Sequence, residues 1–245
     1  MKRLVLGIVG LALFLLAWQL IGHYRLAGLS WPPLTEVFAV LLDPERRALF
    51  ARALSATIVA TAIGYCIGAA LGLGAATGSY LLPAARPGTD RLAAVLHSIP
   101  SIALAPVFIV FLSRESTPAA IAAAHAAFVI YVAASSGLAA ASQGHGDLFT
   151  VLGASRWQRL WRLDVPAALP ALSSGLKLAV PVSLIGAIIG EWFGAPRGLG
   201  VLIVNAMQNF QIPLLWSSVT LIVATSLTLY AALTVLERAC YRRFA

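Results

Sequence analysis

Four histidines are the residues of this sequence whose side chains could hold a metal ion or act on a proton. They are His23, His97, His125 and His145, and no two of them stand three or four residues apart. Imidazoles that share a metal on one helix face need that spacing, and no cysteine or carboxylate pair completes a ligand set, although Asp147 follows His145 closely. The sequence therefore predicts no catalytic residue and no metal site.

The sequence also lacks the motif that nucleotide hydrolysis by a phosphate loop requires. Neither a G-x-S-x-G nucleophile turn nor a G-x-x-x-x-G-K-[ST] phosphate loop occurs in the 245 residues. A chain without that loop cannot bind and split ATP by the usual P-loop chemistry. If it drives transport against a gradient, the energy must come from ion coupling or from another protein.

Ion coupling would require an acidic side chain inside the membrane. Glu191 is the single candidate, and it lies at the end of an apolar run. Three roles are open for it: a structural cap or salt bridge, a gate or solute-cavity residue, and a proton relay.

The composition is that of a polytopic membrane protein. Hydrophobic residues make up 60% of the chain and charged residues 11%, whereas soluble domains carry about 25% charged residues. The mean hydropathy is +0.89. A net charge of +8 would suggest nucleic-acid binding in a soluble protein, but here it is expected from positively charged cytoplasmic loops. We therefore expect an all-α polytopic membrane protein with a single transmembrane domain, residues 1–245.

Six apolar runs are long enough to cross a bilayer as helices. They are predicted at residues 4–22, 56–80, 92–112, 119–141, 172–193 and 214–236. Because the side of the two termini carries more Lys and Arg than the opposite side, the termini are predicted to be cytoplasmic. Within the third run, Pro100 and Pro106 are expected to free backbone carbonyls and to allow bends.

One polar and basic segment, residues 147–170, interrupts these runs with the sequence DLFTVLGASRWQRLWRLDVPAALP. Ser155, after Gly153, is predicted to cap a short helix, and Pro166 is expected to end it. The apolar face of that helix carries Trp157, Leu160, Trp161 and Leu163, and its basic face carries Arg156, Arg159 and Arg162. Such a helix fits a groove on another protein or an anionic lipid surface, and its chemistry alone leaves both alternatives open.

The same segment resembles the EAA loop of ABC importer permeases, which reads roughly E-A-A, three residues, G, nine residues and I-x-L-P. Gly153 is followed ten residues later by Leu163, and Pro166 stands at the family's spacing. The residues from Gly153 to Trp157 are similar to the family's G-A-S-x-W variant. Asp147-Leu148-Phe149 stands where Glu-Ala-Ala is usual, so the acid is retained in kind but the two small residues are not.

Three further motifs resemble permeases of the nitrate/sulfonate/taurine group, which also serves pyrimidine and thiamine-precursor uptake. Gly190-Glu191-Trp192, Gly198-Leu199-Gly200 and Asn205 are similar to that group's G-E-[FW], G-L-G and N. The segment from Pro100 to Pro106 is similar to its P-x-x-A-L-x-P third span. Trp31-Pro32-Pro33 is similar to the P-[SP]-P start of its first outer loop.

The resemblance implies the type I ABC importer permease fold with a cytoplasmic coupling helix, and it points to two sets of residues. Coupling to an ATPase is implied for Asp147, Gly153, Ala154, Ser155, Trp157, Trp161, Leu163 and Pro166. The candidates for the translocation path or its gate are Glu191, Pro100, Pro106 and Asn205.

The resemblance also implies partners and a solute. The chain is expected to be a multi-pass protein of the bacterial inner membrane that pairs with a second copy, a cytoplasmic ABC ATPase dimer and an extracytoplasmic substrate-binding protein. ATP and Mg would bind the ATPase, so this chain is expected to be no enzyme and to bind no cofactor. The expected solute is a nitrate/sulfonate/taurine-type anion. The alternatives are a pyrimidine, thiamine precursor or other heterocycle carried by the same machinery and, in another class, an ion-coupled secondary transporter.

Overall fold

Helices form the framework of the computed structural model, which describes the backbone of residues 2–244 and the side chains of residues 5–235, 237 and 238. The helices are α1 (Lys2–His23), α2 (Leu34–Leu42), α3 (Arg47–Leu81), α4 (Arg86–Ser98), α5 (Ser101–Phe111), α6 (Thr117–Leu138), α7 (Gln143–Val151), α8 (Arg156–Arg159), α9 (Val165–Glu191), α10 (Leu199–Gln208) and α11 (Ile212–Phe244). The side chains of the terminal basic residues used to predict the orientation, Lys2, Arg3, Arg242 and Arg243, lie outside the described part of the chain.

Five helical stretches of the described residues are long and apolar enough to cross a membrane, and one bent helix pair raises the number to six. The five are Val5–His23, Pro44–Leu81, Thr117–Leu138, Arg156–Glu191 and Ile212–Val235, and the pair is α4 with α5. The all-α fold expected from the sequence is therefore confirmed.

The centre of the bundle is the close packing of α3 against α6. Gly64, Gly68 and Gly72 follow one another at a spacing of four on α3 and face α6. A Cβ on Gly68 would lie 2.5 Å from the carbonyl oxygen of Ala123, so the two backbones leave no room for a side chain there. Small residues permit this close approach of helices in lipid. α9 packs against both helices and completes the core.

The third predicted span, residues 92–112, is not one straight helix. α4 and α5 are separated by Ile99 and Pro100 and are bent by 97° relative to each other. Ile99 takes φ −71° and ψ 123°, because the proline ring that follows disfavours the helical region. Pro106, in contrast, lies inside α5. The expected span is therefore replaced by a broken helix pair whose break is at Pro100.

The fifth predicted span begins well before residue 172. A helical stretch runs from Arg156 to Glu191 through a π turn at Leu160–Asp164. The expectation that Pro166 ends the short helix is wrong, because this residue lies in the first turn of α9. The π turn gives a physical reason: its wider ring relieves the clash of a proline ring with the carbonyl of the preceding turn. The loop predicted at 147–170 is therefore shorter, and α8 continues into α9.

α1 is attached to the bundle by a cluster of three tryptophans. The ring centroids of Trp18, Trp31 and Trp216 lie 4.8 Å from one another. The Trp18 Nε1 donates to the carbonyl of Pro32 at 3.1 Å, and the Trp216 Nε1 donates to the carbonyl of Ser30 at 2.9 Å. The cluster therefore joins α1, the loop before α2 and the start of α11.

The substitution Gly68→Ala tests the contact between α3 and α6. We expect the added methyl group to force the backbones apart and to lower the free energy of unfolding by about 1–3 kcal/mol, the usual cost of overpacking. Gly74→Ala on the same helix is the matched control, because nothing lies within 4 Å of a Cβ at that position and both variants gain the same helix propensity. The measurement is thermal unfolding in detergent, and equal midpoints for the two variants would contradict the close packing.

Candidate functional site

α7 and α8 form an exposed corner whose turn is built by Gly153. This residue has a φ of 68°, in the left-handed region that glycine adopts without steric cost. The Ala154 N–H donates to the Phe149 carbonyl and the Gly153 N–H to the Thr150 carbonyl, both at 3.0 Å. These two bonds form a Schellman motif, which satisfies the last carbonyls of α7. Gly153 therefore makes the tight turn that ends α7.

Ser155 begins the second helix of the corner. Its Oγ accepts from the Gln158 N–H at 3.3 Å, and the Gln158 Oε1 accepts from the Ser155 N–H at 2.8 Å. This reciprocal pair is a capping box, which satisfies two backbone donors at the helix start. The prediction that Ser155 caps α8 is confirmed.

The outer surface of the corner carries large apolar side chains. Val151 and Leu152 are 84% and 72% exposed, at the end of α7 and in the turn. Trp157 and Trp161 are 55% and 63% exposed, whereas the neighbouring Leu160 is buried. A group of exposed apolar residues of this kind marks a surface that binds another protein or lipid. We call Val151, Leu152, Trp157 and Trp161 the apolar corner.

The other residues proposed for coupling lie in two places, the corner itself and the start of the helix that follows it. Asp147 is exposed on α7, and Ala154 is half-buried in the turn. Leu163, half-buried in the π turn, and Pro166, exposed in the first turn of α9, lie beyond the corner. The motif therefore shapes both the corner and the base of the helix that follows it.

Two of the three arginines of this segment point back to the bundle. The Arg156 Nη1 donates to the carbonyl of Leu81, the last residue of α3, at 3.0 Å. The Arg159 Nε donates to the Asp164 Oδ2 at 3.2 Å, while Arg162 is exposed. The predicted basic face is thus largely used to hold the corner against α3 and α9.

Asp164 is a functional candidate that sequence reasoning missed. Its side chain is fully buried, and the Tyr80 hydroxyl and the Arg159 guanidinium both donate to its Oδ2. Its Oδ1 has no hydrogen-bond partner among the described residues. The carboxylate therefore joins the corner, the π turn and the end of α3. The signal in the sequence was an acid just after the three arginines of a basic segment, five residues after Arg159.

Glu191 is buried at the end of α9 and holds the start of α10. Its Oε1 accepts from the Thr57 hydroxyl and its Oε2 from the Gly200 N–H, both at 2.7 Å. The Thr57 Oγ1 in turn accepts from the Leu199 N–H at 2.8 Å. A carboxylate is favourable at a helix N-terminus because it satisfies free N–H groups and faces the positive end of the helix dipole. Of the three roles open for Glu191, these contacts agree with the structural cap.

The glycines of the G-L-G motif make this contact possible. Gly198 has a φ of 147°, and a Cβ there would overlap the carboxyl group of Glu191. A Cβ on Gly200 would lie 2.7 Å from the carbonyl oxygen of Ile188. The G-E-W and G-L-G motifs are therefore two sides of one packed contact.

The remaining path candidates lie on different elements. Asn205 is exposed on α10 and lines a cleft of about 300 Å³ together with Arg52 and Arg197. Pro100 marks the break between α4 and α5, and Pro106 lies within α5. Among the described residues, no hydrogen bond joins these candidates to Glu191, whose oxygens accept from Thr57 and Gly200.

Two of the four histidines meet across helices although their sequence spacing did not predict it. The His97 ring stacks on the Phe128 ring with centroids 3.7 Å apart and an interplanar angle of 5°. The centroid of the His125 ring lies 6.5 Å from that of the His97 ring, and the His125 Nε2 is 2.5 Å from the Ser101 Oγ. Within the described residues, no group of three or more His, Cys, Asp or Glu side chains could hold a metal ion.

A helical membrane bundle with a capped apolar corner between two spans agrees with the permease class of ABC transporters that the motifs imply. Residues 46–245 match the family described as binding-protein-dependent transport system inner membrane component. The chain belongs to this family, so the resemblance stated from the motifs is confirmed. Members of the family are transport permeases and not catalytic subunits.

Individual relatives and one solved structure agree with this assignment. The chain is 30% identical to the formylaminopyrimidine transport permease protein ThiX of Halalkalibacterium halodurans, over 78% of this chain and 76% of the relative. It is 24% identical to the taurine transport system permease protein TauC of Escherichia coli, over 97% of this chain and 89% of the relative. The fold matches a chain of the inward-facing MetNI methionine ABC transporter with a TM-score of 0.73 and 18% identity, over 81% of this chain and 99% of that chain.

The substitution Thr57→Val tests the cap on α10. It removes the hydroxyl without changing the side-chain volume much, and it leaves the Leu199 N–H and one Glu191 oxygen unpaired. We expect the free energy of unfolding to fall by about 1–3 kcal/mol, the cost of unsatisfied buried polar groups. Thr61→Val is the matched control, because Thr61 is also buried on α3 but its Oγ1 has no partner among the described residues. Equal thermal unfolding midpoints in detergent would sink this assignment.

The substitution Arg159→Gln tests the buried pair with Asp164. It leaves a fully buried carboxylate without its cation, and we expect a loss of about 2 kcal/mol, below the 3–5 kcal/mol of fully buried pairs because Arg159 is 39% exposed. Arg162→Gln, at an exposed site of the same segment, should change the unfolding midpoint little. Adding Asp164→Asn to Arg159→Gln should recover part of the loss. A double variant less stable than Arg159→Gln would contradict the pairing.

Proposed function

We propose that two copies of this chain form the translocation path of an ABC importer for a small solute. A separate cytoplasmic ATPase dimer binds ATP and Mg, and an extracytoplasmic substrate-binding protein delivers the solute. The apolar corner carries this proposal, since its four large apolar side chains are exposed on a segment that also carries three arginines. A dimeric ATPase offers two docking sites, whereas the described residues of each chain form one such corner, so the proposal includes a second copy, and a homodimer is the simplest arrangement.

The apolar corner is the surface that docks into a groove on the ATPase. Trp157 and Trp161 are the anchors, because large aromatic side chains dominate the binding energy of such contacts. Gly153, Ala154 and Ser155 fix the geometry of the turn that presents them, and Asp147 adds a charge beside it. The residues of the coupling motif thus act as a shaped unit rather than as separate contacts.

Movement of the corner reaches the membrane helices through two direct connections. α8 continues through Leu163 and Pro166 into α9, forming one helical stretch of 36 residues. Arg156 bonds the end of α3, and the Arg159–Asp164–Tyr80 contacts bond α3 to the base of α9. Closure of the ATPase dimer would displace the two corners together and bias the bundle between inward-open and outward-open states.

The opposite end of the bundle receives the solute. Glu191 holds α10 in place, and the cleft lined by Arg52, Arg197 and Asn205 lies beside that helix. In this arrangement the role of Glu191 at the gate is to position α10, and Pro100 and Pro106 give the broken pair its shape. The bacterial inner membrane with both termini in the cytoplasm is the location that fits this orientation.

The solute belongs to one of the two classes expected from the motifs. The name of ThiX, a formylaminopyrimidine permease, supports a heterocycle, and the name of TauC, a taurine permease, supports a sulfonate-type anion. Ion-coupled transport is not favoured, because both oxygens of Glu191 are engaged in the cap on α10. Calorimetry of the binding protein encoded beside the gene, with an aminopyrimidine and with taurine, distinguishes the two classes.

The substitution Gly153→Asp tests the docking surface. It puts a side chain at a φ of 68° and a charge at the centre of the apolar corner. We expect insertion into the membrane to be retained and recovery of the ATPase with the tagged permease to fall about tenfold, equivalent to about 1.4 kcal/mol. Gly144→Asp is the matched control, because it adds the same charge in the first turn of α7, where nothing lies within 4 Å of a Cβ and an acid is favourable. Undiminished co-purification and transport by Gly153→Asp would argue against this docking surface.

A further inference from the structure

The stacked rings of His97 and Phe128 lie near mid-depth of the bundle. α6 runs from Thr117 to Leu138. Phe128 stands eleven residues after Thr117 and ten before Leu138, so it lies about 15 Å from either end of the helix at 1.5 Å per residue. His125 lies less than one turn nearer to Thr117. The hydrocarbon core of a bilayer is about 30 Å thick, so a bilayer centred on α6 has these rings near its middle.

His97 is nevertheless exposed on the surface of the single chain. An ionisable ring that faces lipid at this depth is costly, and such residues in membrane proteins face a water-filled cavity or another protein surface. His97 therefore faces either the path between two permease copies or the second copy itself.

The backbone beside this ring is broken. α4 ends at Ser98, α5 begins at Ser101, and the two residues between them, Ile99 and Pro100, are both exposed. Non-helical backbone at membrane depth is tolerated where it is buried in protein or lines a water-filled cavity. In transporters, interrupted helices near the midplane contact the solute. The broken pair and the exposed imidazole thus point independently to the same place.

The chemistry of this cluster fits a planar ring better than an anion. Phe128 covers one face of the His97 ring. The cluster also contains His125 and Ser101, whose side chains can donate or accept hydrogen bonds. Among the hydrogen bonds and ring contacts of the described residues, none brings a Lys or Arg side chain to these four residues. A flat heteroaromatic ring could stack beside His97 and use its edge atoms toward His125 and Ser101.

We propose that His97, His125, Ser101 and Phe128 form a solute-binding site in the translocation path, and that the site takes neutral nitrogen heterocycles such as aminopyrimidines. The proposal rests on the function proposed above, because the path it lines exists only between two permease copies. It selects the heterocycle class over the anion class for the solute.

Cysteine accessibility tests whether His97 lies in the path. In a Cys66→Ser, Cys240→Ser background, His97→Cys is compared with Val95→Cys, an exposed position about 200° away on the same helix. Both complexes are reconstituted with the ATPase and treated with a membrane-impermeant thiol reagent, without nucleotide and after vanadate trapping. We expect His97→Cys to react in at least one state and Val95→Cys to react only with a membrane-permeant reagent. Failure of His97→Cys to react in either state would overturn the proposal.

Protection by solute tests the chemical class. A 4-aminopyrimidine should slow the labelling of His97→Cys several-fold, and an alkylsulfonate should not. Protection by the sulfonate alone, or by neither probe, would overturn the proposed site. Labelling requires no transport, so a negative labelling result contradicts the proposed site and not the proposed function. The proposed function would instead be contradicted if the ATPase did not co-purify with the unsubstituted chain.

Transport by two ring variants separates stacking from hydrogen bonding. His97→Phe keeps an aromatic ring on Phe128, and His97→Ala removes it. We expect His97→Ala to raise the KM for the aminopyrimidine about tenfold and His97→Phe to raise it less, with ATPase recovery unchanged in both. A KM that is unchanged in His97→Ala would contradict a contact between this residue and the solute.

Discussion

The contact between α3 and α6 is the constraint on which the other helices depend. Gly64, Gly68 and Gly72 allow the two backbones to touch, and α9 packs against the pair that results. In lipid, helices gain little from hiding apolar side chains, so close van der Waals packing of this kind supplies much of the association energy. The corner, the cap on α10 and the broken pair are all positioned by helices that meet in this core.

α3 and α9 are fastened to each other at both ends by buried carboxylates. Asp164 at the base of α9 accepts from Tyr80 near the end of α3, and Glu191 at the other end of α9 accepts from Thr57 near the start of α3. Because Asp164 and Glu191 are separated by about 40 Å of helix at 1.5 Å per residue, the two bonds resist sliding of one helix along the other. The pair is therefore expected to move as one body when the corner is displaced.

Local features could be predicted from the sequence, and features that depend on distant residues could not. Gly153 and Ser155 were predictable because their bonds join residues three to five positions apart. The partners Tyr80 and Asp164, and likewise His97 and Phe128, are joined only by the packing of different helices. The expectation for Pro166 failed because a π turn lets the helix pass a proline that a simple stop rule would place at its end. The motifs identified the family but not its solute, because most of them build the corner and the cap, and His97, His125 and Phe128 belong to none of them.

The three tryptophans that hold α1 to the bundle are also expected to give a distinct near-ultraviolet circular dichroism signal. Indole rings 4.8 Å apart couple electronically, so their near-ultraviolet circular dichroism differs from that of isolated tryptophans. Trp157 and Trp161 lie on the apolar corner, away from this cluster in the fold. Fluorescence quenched by ATPase docking would therefore come from the corner, while the dichroic signal would report whether α1 remains attached.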